Sequence, residues 1–189
     1  MDPTLSLPIF GTVAAATICC PDRGAMEGAC AEGFYRFTRW ERWSTDPLLG
    51  AIGPNPTAGA TDPDAAFGAL RTYARTNGFG GVELVNVFAL VGSDAFVTLR
   101  TKAREFGDGT RNQTHIRALL DHAQTVVLAY GDALQGARVR PGLSFVRSCI
   151  EAPSHAKPMC FGYTDAGMPI TLLDLPPRPR LRDFFFSDK

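Results

Sequence analysis

Residues 47–74 read "PLLGAI" (47–52), "GPNPTAGATDPD" (53–64) and "AAFGALRTYA" (65–74), and the fold follows from how these pieces join. The first is a short apolar run of strand length. The second spends three prolines, two glycines, an asparagine and two aspartates in twelve residues. It cannot continue a strand, because proline lacks the ladder donor and glycine favours open turns. Phe67, Leu70, Tyr73 and Ala74 then recur at helical spacing, which predicts a helix from Asp62 to Thr76 with Asp62 or Asp64 as its cap. A strand, a shaped loop and a helix in that order put the loop at the carboxyl end of the strand, where open α/β sheets carry their sites.

The same pattern extends outward. "NGFGG" (77–81) ends the helix, and "VELVNVFAL" (82–90) is apolar on both faces, as suits the middle of a parallel sheet. A second amphipathic helix carries Ile116, Leu119, Leu120 and Ala123, and "TVVLAYG" (125–131) is the next buried strand. Strand–loop–helix thus repeats three times from Pro47 to about Arg138. That predicts an α/β fold: a three-layer α/β/α sandwich with a short, mainly parallel central sheet. Upstream, "FYRFTRWERW" (34–43) reads as a strand with arginines on one side, preceded by a loop from Pro21 to Gly33 and a first strand in "TVAAATICC" (12–20). Downstream, "LSFVRSCI" (143–150) suits a helix, and "PMCFGYTDAGMPITLLDL" (158–175) two short strands around the turn "TDAG". The tail "PPRPRLRDFFFSDK" (176–189) joins a basic cluster to Phe184, Phe185 and Phe186, which are expected to pack on the fold.

With 189 residues, 45% hydrophobic and 20% charged, the chain is expected to form one globular domain, residues 1–189. Nineteen basic residues balance nineteen acidic ones, which neither implies nor excludes nucleic acid. A protein that grips one base needs a local basic rim rather than a basic pI. Five cysteines with no C-x-x-C pair argue against a disulfide framework and against a thiolate metal site. The apolar N-terminal stretch has Asp2 and no preceding Lys or Arg, and Pro8 interrupts it, so a signal sequence is not expected. No run has the length of a membrane span, and a cytoplasmic location is the expectation.

Taken in order, three motifs carry a resemblance: "GPNP" (53–56), "GVELVNVFAL" (81–90) and "VVLAYGDAL" (126–134). They resemble uracil-DNA glycosylases and their relatives, which have a compact α/β fold, a short parallel sheet and a site at the strand ends. The nearer resemblance is to a small bacterial family of uncharacterised domains in that superfamily. Its motifs "R-Y-x-L-x-R-x-W", "L-N-P-S-T-A-D … D-P-T", "V-V-N-L-F-A" and "V-x-A-W-G" are similar to "FYRFTRWERW", "GPNPTAGATDPD", "LVNVFAL" and "VLAYG". The resemblance covers residues 34–138 well.

It implies a monofunctional DNA glycosylase that flips a pyrimidine out of DNA, hydrolyses its N-glycosidic bond and leaves an abasic site, with no cofactor and no metal. Asn55 would hold the attacking water and Asp62 would orient or activate it. Asn86 would read the base edge, since its carboxamide offers both donor and acceptor. Phe67, Phe88 and Tyr130 are the aromatic side chains expected against the flipped base, with Tyr73 and Tyr163 also available. Arg36, Arg39 and Arg42 would grip phosphates, as could Arg178, Arg180 and Arg182 in the tail. Family members carry "G-x-P-x-H-P", whereas this chain has "GMPITLL" (167–173) with Thr171 in the histidine's place. His155 could supply that role from another direction; otherwise backbone amides must stabilise the leaving base. No lysine falls in the motifs, so no Schiff-base step is expected.

Small residues after the first motif (Thr57, Ala58, Gly59) leave room for a bulky base such as the hydroxymethylated or glucosylated cytosine of bacteriophage DNA, which would make the activity an antiviral defence. Each residue also has a plainer role. Asn55 between prolines suits a turn, Asp62 a helix cap, Asn86 a satisfied buried amide and His155 a surface loop, while the arginines of 34–43 could stack on their own tryptophans. A non-catalytic DNA-binding protein and a hydrolase of free modified nucleosides or nucleotides are the alternative functions.

Overall fold

A computed structural model describes residues 22–30, 33–57, 63–92, 109–135, 140–152 and 156–186. Among the described residues, seven strands form one sheet: β1 (Asp22–Cys30), β2 (Gly33–Arg42), β3 (Leu48–Gly53), β4 (Gly81–Asn86), β5 (Thr125–Leu128), β6 (Lys157–Cys160) and β7 (Arg182–Asp183), in the order β1-β2-β4-β3-β5-β6-β7. The central four, β4-β3-β5-β6, are parallel. The flanking pairs β1–β2, β2–β4 and β6–β7 are antiparallel, so a parallel centre is extended into a mixed sheet.

Three α-helices are described: α1 (Ala65–Thr76), α2 (Gly109–His122) and α3 (Arg140–Glu151). Strand alternation divides the core between the two faces of the sheet. Leu49, Ala51, Val82, Leu84 and Val127 pack against Phe67, Leu70 and Tyr73 of α1. Ile52, Val85, Val126 and Leu128 pack on the other side against Ile116, Leu119 and Leu120 of α2 and Val146 of α3. Both faces of the parallel core are therefore covered, which is why its strands read as continuous apolar runs.

Several expectations need correction. Asp22–Cys30, read as loop, is a strand hairpinned onto β2. The strand expected over 82–90 ends at Asn86, and the chain beyond it follows the loop after β3 instead. Val87 N–H donates to Gly53 O at 2.8 Å, Phe88 N–H to Pro54 O at 3.0 Å and Gly92 N–H to Pro56 O at 3.0 Å. Of the three tail phenylalanines, Phe184 is buried and Phe186 packs beside it, but Phe185 is exposed. The strand expected in residues 12–20 lies outside the described residues. No helix among those described is long and apolar enough to cross a membrane.

β2 holds a detail that decides the site. Met26 faces Thr38 and Glu27 faces Arg36, which leaves Phe37 without a partner in β1: a β-bulge. One extra residue reverses the alternation. Phe37 stacks on His115 of α2, whereas Arg36 and Arg39, three apart in sequence, both reach α1.

Candidate functional site

β3 leads by α1 to β4 on one side, while β5 leads by α3 to β6 on the other. The chain thus changes direction between β3 and β5, the place where open α/β sheets hold ligands. A pocket of about 260 Å³ opens at the carboxyl ends of β3, β4 and β5. Gly53, Pro54, Asn55, Pro56 and Thr57 supply one wall, Asn86 and Leu84 come from β4, and Ala129 follows β5. Arg36, Asp64 and Ala66 close the α1 side, and Thr171, Leu172 and Leu173 form the remaining wall.

Asn86 is 2% exposed and ends β4 with its carboxamide above Gly53. A Cβ at Gly53 would lie 2.7 Å from Asn86 Oδ1, so only glycine admits this side chain. Asn86 Nδ2 has no hydrogen-bond partner among the described residues, a costly state for a buried donor. Its backbone is fixed from behind: Asn112 Nδ2 donates to Asn86 O at 3.0 Å and to Val87 O at 2.9 Å. Asn112, on α2, was not foreseen as part of the site.

Asn55 also reaches the pocket. Its Nδ2 donates to Gly92 O at 2.9 Å and Pro56 O at 3.2 Å, tying the loop after β3 to the loop after β4. That commits the amide nitrogen to structure and leaves Oδ1 as the atom that could take a water.

Asp64, not anticipated beyond a cap, is the carboxylate on the pocket wall. Its Oδ1 accepts from Phe67 N–H at 3.0 Å, capping α1. Its Oδ2 lies 2.7 Å from Arg36 Nη1, with the two side chains only 2% and 1% exposed. Two aspartates flank Pro63, and cap spacing alone could not choose between them. Asp62 and His155 lie outside the described residues.

Other expected residues are placed elsewhere. Phe67, Phe88 and Tyr130 do not line the pocket, so its described walls offer no aromatic face. Phe67 packs in the α1 core with Arg39 stacked over its ring at 4.9 Å. Phe88 and Tyr130 belong to the opposite core, and burial pushes the Tyr130 hydroxyl well above its ordinary range. The β2 arginines each have a partner within the fold. Arg36 is buried, Arg39 covers Phe67, and Arg42 Nη2 donates to Asp46 O at 2.7 Å. Trp43 carries Arg75 of α1 over its ring at 4.2 Å. Thr171 does reach the pocket, but its Oγ1 donates to Asp174 Oδ2 at 2.6 Å and accepts from Leu173 N–H at 3.2 Å. Its side chain is therefore spent on the turn. Gly131, at φ 61°, gives way to it: a Cβ there would lie 2.5 Å from Thr171 Cγ2.

The sequence pattern of proteins of unknown function DUF1643 matches residues 36–170. The chain belongs to the DUF1643 family. The DUF1643 match opens on Arg36 and takes in Asn55, Asp64 and Asn86, while Thr171, Leu172 and Leu173 fall just past its end. No curated protein and no solved structure matches the chain.

Proposed function

We propose that this chain is a monofunctional DNA glycosylase of the uracil-DNA glycosylase type, which takes a modified pyrimidine into the pocket and hydrolyses its N-glycosidic bond. The observation that carries the reading is Asn86: a buried carboxamide, with an unpartnered Nδ2, at the carboxyl end of a central parallel strand. A ring that presents an acceptor to Nδ2 and a donor to Oδ1 would satisfy it, and a pyrimidine edge does both. At about 260 Å³ the pocket is slightly smaller than the ~300–1,000 Å³ usual for small-molecule sites, which suits one ring.

Cleaving the bond builds positive charge on the sugar and negative charge on the base, so the catalytic task is mainly electrostatic. Asn55 Oδ1 would hold the water, and the base would be stabilised by Asn86 and by backbone donors. The base we propose is hydroxymethylated or glucosylated cytosine, with its substituent toward the exposed rim residues Thr57 and Leu173. Removing such bases from bacteriophage DNA would be an antiviral defence in the cytoplasm.

The test is to incubate the protein with DNA carrying uracil, hydroxymethylcytosine or glucosylated hydroxymethylcytosine, followed by alkali and sizing of the strands. Breaks at the modified base, lost in Asn86→Ala, support the reading; intact strands on every substrate reject it. A second reading, hydrolysis of free modified nucleosides or nucleotides, is favoured by one observation. The three β2 arginines are each engaged within the fold rather than standing free at its surface. Turnover of a mononucleoside at a rate no duplex improves would select it.

A further inference from the structure

We infer that Asp64, oriented by Arg36, is the carboxylate that meets the sugar and its attacking water, in place of Asp62; this rests on the glycosylase reading above. Both side chains stand on the pocket wall, 2.7 Å apart and almost wholly buried. Capping α1 does not require such an arrangement. Asn or Ser would accept from Phe67 N–H as well, with no charge to bury. Burying an ion pair costs several kcal/mol per ion, and apolar side chains of similar volume commonly replace one without loss of stability. The bulge at Phe37 is what turns Arg36 to this face. The fold therefore places an ion-paired carboxylate on the wall of the pocket that Asn55 and Asn86 also line, where stabilisation of a cation is wanted.

The geometry also restricts how Asp64 acts. One oxygen is fixed by a backbone amide and the other by a guanidinium, so the carboxylate is aimed rather than mobile. It would hold the water and face the charge developing at C1′, forming no covalent bond. The C1′–N bond breaks with its electron pair leaving on the base, and a water oxygen bonds to C1′. The proton shed by that water ends on the ring nitrogen of the released base. Arg36 is a positioning residue in this scheme, since it acts through Asp64.

The test compares wild type, Asp64→Asn, Asp62→Ala and the neutral pair Arg36→Met with Asp64→Asn. Single-turnover excision, duplex affinity and thermal unfolding are measured on DNA carrying uracil, hydroxymethylcytosine or glucosylated hydroxymethylcytosine. We expect Asp64→Asn and the neutral pair to lose ~10²–10³-fold in excision rate with duplex affinity unchanged. The neutral pair should unfold close to wild type, and Asp62→Ala should excise like wild type. A neutral pair that excises at the wild-type rate makes the ion pair purely structural and overturns the assignment. So does loss of activity in Asp62→Ala with Asp64→Asn active. If the neutral pair does not fold, Asp64→Asn decides alone, because Asn preserves the cap. A wild-type chain that leaves every duplex intact rejects the glycosylase reading itself, an outcome distinct from either.

Discussion

Gly53 and Asn86 are a matched pair, and their contact shows how one missing side chain makes a site. The carboxamide of Asn86 occupies the space a Cβ at residue 53 would take, with Oδ1 2.7 Å from it. In Gly53→Ala the amide must move, although it is walled in by the pocket. We expect a loss of about 1–3 kcal/mol in stability from the crowding. Excision should fall at least tenfold as the amide is displaced (~1.4 kcal/mol or more), read from urea unfolding and the abasic-site assay on the same preparation. Asn86→Leu is expected to separate the two properties further. It removes a buried donor with no partner among the described residues, so stability should hold or rise by up to about 1 kcal/mol while excision disappears. A large fall in the urea midpoint would instead make Asn86 a structural amide. Asn86 was legible in the sequence because an amide inside "ELVNVFAL" must find partners or a purpose. Asp64 was less so: Asp62 and Asp64 bracket one proline, and nothing in the spacing announces the buried ion pair of Asp64 with Arg36.

At the scale of elements, periodicity revealed the parts of the chain with uniform surroundings. β3, α1, β5 and α3 are buried on one stripe or on both faces, so their apolar patterns are regular and were readable. The misreadings arise where one residue alters the pattern. The unpaired Phe37 shifts β2 by one, so Arg36, Arg39 and Arg42 fit neither a strand nor a helix spacing and their destinations could not be read. β1 reads as a loop in the sequence because "DRGAMEGAC" has two glycines and no apolar alternation, and a long antiparallel partner is what makes it a strand. The end of β4 is likewise set from outside. Val87 and Phe88 leave the ladder to follow the loop after β3, and α2 locks the turn through Asn112. Asn112→Ala should leave two backbone carbonyls without that donor and cost about 1–3 kcal/mol. Amide exchange should quicken at Val87 and Phe88 more than at Val126 or Val127, so the effect is local to the pocket. Uniform acceleration across the sheet would mean that Asn112 supports the fold in general and not the site.

On the scale of the whole molecule, a shifted carboxylate on one face of the sheet and a shifted imidazole on the other respond to pH in opposite senses. On the α1 face, burial alone would raise the Glu41 carboxyl, but hydrogen bonds from Arg75 at 3.0 Å and Arg71 at 3.3 Å outweigh it and leave the group below its usual 4.5. A lowered carboxylate contributes stability above its unfolded value and loses it as pH falls through the folded one. On the α2 face, the hydrogen bond from His122 Nε2 to Glu83 Oε2, 2.7 Å long, outweighs burial and raises the imidazole above its usual 6.5. Here the sign is reversed: the stabilisation is complete below 6.5 and disappears as pH rises through the folded value. Stability should therefore decline at both ends, and the limbs should be separable. Glu41→Gln should flatten the acid limb and leave the other intact; His122→Gln should flatten the decline above neutrality. Each effect should be below about 1 kcal/mol, because the arginines and the imidazole are partly exposed. Urea midpoints across the pH range for both variants provide the check. An alkaline limb unchanged in His122→Gln would assign it elsewhere. Neither pair lines the pocket, so Glu41→Gln and His122→Gln should leave the pH profile of excision unchanged while they flatten the limbs of the stability curve.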